Sequence, residues 1–322
     1  LRRREAGMAQ KGRAHGTTTL PEMRRGEVAL SLATVICRVA WPGSPATGAA
    51  NQQIAYSKAQ GQLAYYRILE AQGKLRQVRD QAGLAAHMQA WQDAPEMTPL
   101  GYILSMEGAD PILWPQQVHE WFADGIRVVS LAHYGASTYA HGTGRPGGLL
   151  PAAAELLAEM DAAGMILDLT HTSDEAFWQA LDLFSGPVLA SHQNARALVP
   201  GERQFSDRQP KALLARGAVI GASMDTWMLY AEGGLDWGDK IPSRRTRFPR
   251  EAVTLENLAD HIDHICQLAG NAQQAAIGGD TDGQGGREGA PLEIDTVADY
   301  QKLVAVLRNA TQRASVNQPT NS

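Results

Sequence analysis

Short apolar runs alternate with longer amphipathic stretches along most of this chain. Four of the runs read Gly101-Tyr-Ile-Leu-Ser-Met-Glu107, Arg127-Val-Val-Ser-Leu-Ala-His133, Met165-Ile-Leu-Asp-Leu-Thr-His171 and Pro187-Val-Leu-Ala-Ser-His192, and a fifth reads Ala275-Ala-Ile-Gly-Gly-Asp280. Runs of this kind, separated by helix-length segments, predict the parallel strands of an α/β fold. Two more strands are predicted over 28–39 and 218–224. Helical spacing of Ile54, Leu63, Tyr66, Ile68 and Leu69 predicts a long helix over 52–80. Further helices are predicted over 114–123, 150–163, 174–183, 207–216, 255–269 and 297–309.

Seven strands, each followed by a helix, imply right-handed crossovers and a parallel sheet. The count predicts a (β/α)8 TIM-type barrel lacking one strand. The expected organisation is an irregular lead-in over 1–26, a single barrel domain over 27–310 and a disordered Asn-, Gln- and Ser-rich tail over 311–322. The 322 residues are enough for one barrel, and 44% hydrophobic with 20% charged content fits a globular protein. A net charge of −5 gives no electrostatic reason to expect nucleic acid. Cys37 and Cys266 stand alone, which argues against a disulfide framework or a cysteine metal site. No apolar run is long enough to span a bilayer, and the basic start lacks the apolar stretch of a secretion leader, which favours the cytoplasm.

In parallel α/β folds the ligand site lies at the carboxyl ends of the strands. Five such ends here carry a residue able to hold a metal or move a proton. Strand alternation would set His171 above Leu169 and Leu167, His192 above Ala190 and Val188, His133 above Leu131 and Val129, and Glu107 above Ser105 and Ile103. A lone histidine at a strand end more often anchors backbone than binds metal. Glu107, His171 and His192 together, however, form a common catalytic zinc set, three ligands with the fourth position open. His133 precedes a mobile-looking Gly-rich loop (141–148) and reads either as an oxyanion donor or as a loop anchor. Asp280 reads as a ligand, a proton shuttle or part of an Asp-Gly turn. Gly278 and Gly279 would let substrate or metal approach the backbone. His261 and His264 share a helical face and are expected to cap or face solvent. His15 follows no strand, and the 142–148 loop lacks the Lys-Ser/Thr of a phosphate loop.

At these residues the chain resembles the membrane dipeptidase (renal dipeptidase) family of zinc peptidases, over roughly residues 20 to 305. The resemblance implies that Glu107 is the metal-bridging glutamate, that His171 and His192 bind one zinc, and that His133 faces substrate. It implies that Asp280, in Ile277-Gly-Gly-Asp-Thr-Asp-Gly283, is the catalytic aspartate. It also implies an arginine for the terminal carboxylate of a dipeptide, by spacing Arg203, with Arg196 the poorer match. The implied reaction is zinc-dependent dipeptide hydrolysis, a metal-bound hydroxide attacking the peptide carbonyl, in a possible homodimer. Two zincs per site are implied, but no His-x-Asp pair precedes residue 40 to complete the second set. The expectation is therefore a chain clipped at both ends, lacking the first strand and the final helix. The alternatives are an inactive or single-zinc relic that binds peptides uncut, or another metal-dependent amidohydrolase-type barrel.

Overall fold

The computed structural model describes residues 17–40, 48–233, 250–282 and 286–308. His15, Trp237, Pro242, Gly283 and the tail at 311–322 lie outside them. Where an irregular lead-in is expected, residues 20–25 form helix α1 (Leu20–Arg25). The Thr19 side chain accepts from the Glu22 amide and Pro21 sits in the first turn, both starting signals, and Met23 is buried.

Strand β1 (Leu30–Ile36) is followed by α2 (Gln52–Ala71), a short β2 (Leu75–Gln77) and α3 (Gln81–Asp93). The single helix expected over 52–80 is thus interrupted. Gln72 caps α2, Gly73 takes a left-handed φ of 67°, and the Asp80 carboxylate accepts from the Gly83 amide to start α3. The chain continues through β3 (Leu100–Glu107), α4 (Val118–Asp124), β4 (Ile126–Ser130), α5 (Ala153–Ala163), β5 (Ile166–Asp168) and α6 (Asp174–Leu183). Then follow β6 (Val188–Leu189), α7 (Arg208–Ala215), β7 (Ile220–Ser223), α8 (Leu255–Ala269) and β8 (Ala275–Gly279). The helix expected over 297–309 is a 3-10 stretch, Val297–Gln301, leading into helix at 302–308.

Every pairing between named strands is parallel. The order is β1-β3-β4-β5-β6, with β2 added beside the start of β3, and one bridge (Ala190 to Ile220) continues to the β7-β8 pair. Apart from β2, neighbours in sequence are neighbours in space, as in a barrel wall. Among the described residues no pairing joins β8 to β1. Instead, helix α2 covers edge groups of β1. The Gln62 amide bonds both the N–H and the C=O of Ile36 (2.9 and 2.8 Å), and the Tyr66 hydroxyl donates to Thr34 O. The chain before β1 also packs on the chain after β8: Val297 N–H donates to Thr17 O, and Thr296 Oγ1 to Glu22 Oε2.

Strand β3 divides its faces cleanly. Tyr102, Leu104 and Met106 are buried in the main core with Trp121 and Phe177. Ile103, Ser105 and Glu107 share the other face, where the Ser105 and Thr34 hydroxyls bond at 2.9 Å. Alternation thus delivers Glu107 to the end of a polar-lined wall. No described helix is long and apolar enough to cross a membrane.

Candidate metal centre

Only Glu107 is the last residue of its strand. His133, His171 and His192 lie three residues beyond β4, β5 and β6, and Asp280 one beyond β8. The three imidazoles therefore sit past the regular strand pairing, on the turns that follow. Two of those turns are strained. His171 (φ 67°) and Asp280 (φ 66°) are two of three described non-glycine residues with positive φ, a conformation costing about 1–3 kcal/mol that clusters at functional sites.

These turns bring the expected residues together. His171 Nε2 and His192 Nε2 are 3.2 Å apart, and Glu107 Oε1 lies 3.4 Å from the first and 3.3 Å from the second. Tetrahedral ligands bonded to zinc at about 2.0–2.1 Å would be separated by about 3.3 Å. The triangle already has the dimensions of three corners of that coordination sphere, and it is the set of acids and imidazoles among the described residues able to hold a metal ion. His133 Nε2 is 3.6 Å from Glu107 Oε1, and Asp280 Oδ2 is 4.0 Å from His192 Nε2.

Hydrogen bonds behind the rings fix which nitrogen is free. Ser191 Oγ donates its one hydrogen to Asp168 Oδ2 (2.6 Å), so it accepts from His192 Nδ1–H at 2.8 Å. Thr143 Oγ1 donates towards His171 O (3.4 Å) and accepts from His171 Nδ1–H at 3.0 Å. Both rings then present an Nε2 lone pair to the centre, as metal ligands must.

The electrostatics suit a cation. Burial pushes the Glu107 carboxyl up, but His133, His192 and Arg203 outweigh it and hold it charged, at about 2. Burial pulls His192 down, yet the Asp280 and Glu107 carboxylates raise it overall. Burial, then the Arg203 charge, keep His171 well below the usual imidazole range. Burial likewise lowers His133 to about 4 and raises Asp280 to about 6, with Asp225 and Glu107 adding to the Asp280 shift.

Arg203 is buried in this centre. Its Nη1 donates to Gln193 Oε1 (2.7 Å) and Nη2 to His192 O (3.0 Å) and towards His171 Nε2 (3.3 Å), while Nε has no partner. Arg196 points elsewhere, in a bidentate pair with Asp174. The two glycines before Asp280 do not open space for a ligand. A Cβ on Gly278 would meet His192 Cα at 2.8 Å and Gly221 O at 2.8 Å, so its bareness lets β7 and the His192 backbone close up. The 134–149 loop carries its own backbone pairing. Bridges join Tyr134 to Thr143, Ala136 to His141 and Ala140 to Leu149, and together they bring Thr143 to His171. His261, expected to cap or face solvent, is buried and accepts from the Ala195 amide. His264 pairs with Asp207.

Sequence reasoning missed Arg38, Thr143, Asp168 and Ser191. Ser191 adjoins His192, and Arg38 lies two residues past β1 much as the histidines lie past theirs, so the rule that singled out the strand-end residues could have found both.

A parallel α/β wall with an acid and two imidazoles converging at its carboxyl ends defines a candidate metal site on a protein of the barrel-like class. The chain belongs to the membrane dipeptidase family (peptidase family M19), whose model matches residues 1–318. Among curated relatives, an uncharacterised protein of the pqqA 5′ region of Klebsiella pneumoniae is 29% identical over 161 residues, covering 50% of this chain and 52% of that protein. The dipeptidase tcpJ of Claviceps purpurea is 30% identical over 193 residues, 59% of this chain and 40% of that one. The chain thus spans about half the length of these relatives. A metallopeptidase from Rhodobacter sphaeroides, solved with a phosphinate mimic of the dipeptide L-Ala-D-Ala, shares the fold with a TM-score of 0.75 at 22% identity. The match covers 96% of this chain and 87% of that one. The probable dipeptidase PvdM of Pseudomonas aeruginosa aligns with a TM-score of 0.73 at 19% identity over 91% of this chain and 83% of that one.

Proposed function

We propose that this chain hydrolyses dipeptides at a zinc ion held by Glu107, His171 and His192. The observation that carries the reading is the 3.2–3.4 Å triangle of donor atoms in a member of this family. One carboxylate and two imidazoles suit zinc better than magnesium or calcium. When bound, zinc would polarise the scissile carbonyl and lower the pKa of a water at its open position. The remaining work falls to the chain. His133 donates from Nε2 to the oxygen that gains charge. Asp280, 4.0 Å from His192 Nε2, takes a proton from the attacking water and returns it to the leaving amine. Arg203 receives the terminal carboxylate. A metal at His171 Nε2 would take up the lone pair that Nη2 now faces, and Nε–H is already unpaired. In this reading the wall is that of a (β/α)8 barrel, with β1 and β8 flanking the place of one further strand.

Two measurements on the purified chain test this. Elemental analysis should find zinc that a chelator removes, and free-acid dipeptides should be cleaved while their C-terminal amides are not. Arg203→Ala should raise KM by roughly 30-fold or more, the ~2 kcal/mol minimum for stripping a buried charge partner. A zinc-free protein, or equal turnover of acids and amides, would overturn the reading.

A further inference from the structure

The third imidazole of the site is held differently from its neighbours. Arg38 Nη1 lies 2.9 Å from His133 Nδ1. A guanidinium keeps its proton in proteins and has no acceptor, so this bond has one direction: Arg38 donates and Nδ1 accepts. A doubly protonated ring would oppose N–H to N–H there. The ring is therefore neutral with its single hydrogen on Nε2, the atom that faces Glu107 Oε1 at 3.6 Å.

The contact is framed on both sides. Arg38 lies two residues past β1, its carbonyl accepting from the Ala49 amide at 2.7 Å. The next residue, Val39, donates its amide to Asp110 Oδ2 (2.7 Å). The other oxygen of the same carboxylate accepts from the Thr138 amide (2.7 Å), the Thr138 hydroxyl (2.9 Å) and Ser137 Oγ (3.1 Å), in the loop that follows His133. Asp110 is fully buried, so one carboxylate ties the arginine's segment to the histidine's. The Arg38 guanidinium also lies 5.8 Å from the Tyr134 ring centroid, and that ring meets His133 edge-on at 4.6 Å.

We propose that Arg38 is a positioning residue that locks His133 as the Nε2–H tautomer. The lock makes His133 an obligate hydrogen-bond donor to the substrate's oxyanion and bars it from the metal set. An Nε2 that carries hydrogen has no lone pair for a metal, so proximity to Glu107 does not make His133 a fourth ligand. Donation from the cation also polarises the ring and strengthens its remaining N–H as a donor. The inference rests on the dipeptidase reading for the word substrate, but the tautomer itself is independent of it.

The test uses the full chain labelled with 15N-histidine, its His133 signals assigned by their loss in His133→Gln. Long-range proton–nitrogen correlation reports which ring nitrogen carries hydrogen. Wild type and Arg38→Lys, which keeps a cationic donor, should show the Nε2–H form. Arg38→Met, which has none, should show a mixture or the Nδ1–H form. In dipeptide hydrolysis, Arg38→Met should lower kcat about 100- to 1,000-fold, the cost of one oxyanion donor, with KM changed less than about threefold and zinc content unchanged. Arg38→Lys should recover part of kcat. An Nδ1–H ring in wild type, an Nε2–H ring that persists in Arg38→Met, or a rise in KM with kcat intact would overturn the proposal. A wild-type chain that cleaves no dipeptide fails the functional reading and leaves the tautomer measurement to decide this one.

Discussion

Three imidazoles converge on one carboxylate oxygen, and what stands behind each ring separates His133 from the His171–His192 pair. Behind His171 is the Thr143 hydroxyl at 3.0 Å and behind His192 the Ser191 hydroxyl at 2.8 Å; behind His133 is the Arg38 guanidinium at 2.9 Å. An oxygen acceptor at Nδ1 leaves Nε2 its lone pair, whereas a cationic donor leaves Nε2 its hydrogen. All three rings sit at the same offset past their strands. Residue type and strand position are therefore equal for all three. Ligand or donor is decided one layer further out.

Removing a ring of each kind gives the largest contrast. His171→Ala or His192→Ala should weaken zinc binding well beyond the ~10–100-fold cost of an outer-shell change, leaving purified protein without zinc by elemental analysis. His133→Ala should keep its zinc and lose turnover. Equal zinc content in His133→Ala and His171→Ala would erase the distinction.

A fourth imidazole supplies a control away from the metal. His261 accepts at Nδ1 from the Ala195 amide (3.1 Å), which is the His133 arrangement with a peptide in place of the arginine. Burial, with the neighbouring His264 adding to it, holds it at about 4. Its folded value lies below the ordinary 6.5, so the unfolded chain binds the extra proton first. Stability is full above about 6.5 and is lost as pH falls towards 4, by up to about 3 kcal/mol for a shift of this size. Denaturant unfolding should show wild type above His261→Gln at pH 7.5, with the gap narrowing through that window. A constant gap would mean that the ring is not held neutral.

Much of this was legible because the residues of the candidate metal centre sit where apolar runs stop. The runs ending at Glu107, His171 and His192 mark both a strand and a candidate metal ligand, and local spacing suffices to read them. The outer layer is a different kind of information. Thr143 reaches His171 across 28 residues and a loop whose bridges no periodicity encodes. Asp168 reads as a polar break in an apolar strand until Ser191 is brought beside it by the β5-β6 pairing. Strand β2, three residues long, is too short to carry a period, and the break at Gln72-Gly73 hides inside a stretch whose apolar spacing continues on either side.

The outer hydroxyls of the His171–His192 pair set the smallest effects, and they should differ. Ser191 is oriented by a carboxylate at 2.6 Å, so its oxygen can only accept from His192. Thr143 spends its hydrogen on a 3.4 Å contact to His171 O, a weaker anchor than a carboxylate. Ser191→Ala should therefore cost zinc affinity towards the upper end of the ~10–100-fold range for outer-shell partners, and Thr143→Val towards the lower end. Asp168 would keep its two amide bonds, from Thr170 at 3.0 Å and Ser191 at 3.1 Å, so Ser191→Ala should still fold. Thr143→Ser, which keeps the oxygen, should bind zinc like wild type. Chelator competition measures all three. If Thr143→Val loses more than Ser191→Ala, orientation by Asp168 is not what holds the His192 ring, and the tautomer argument for this pair fails.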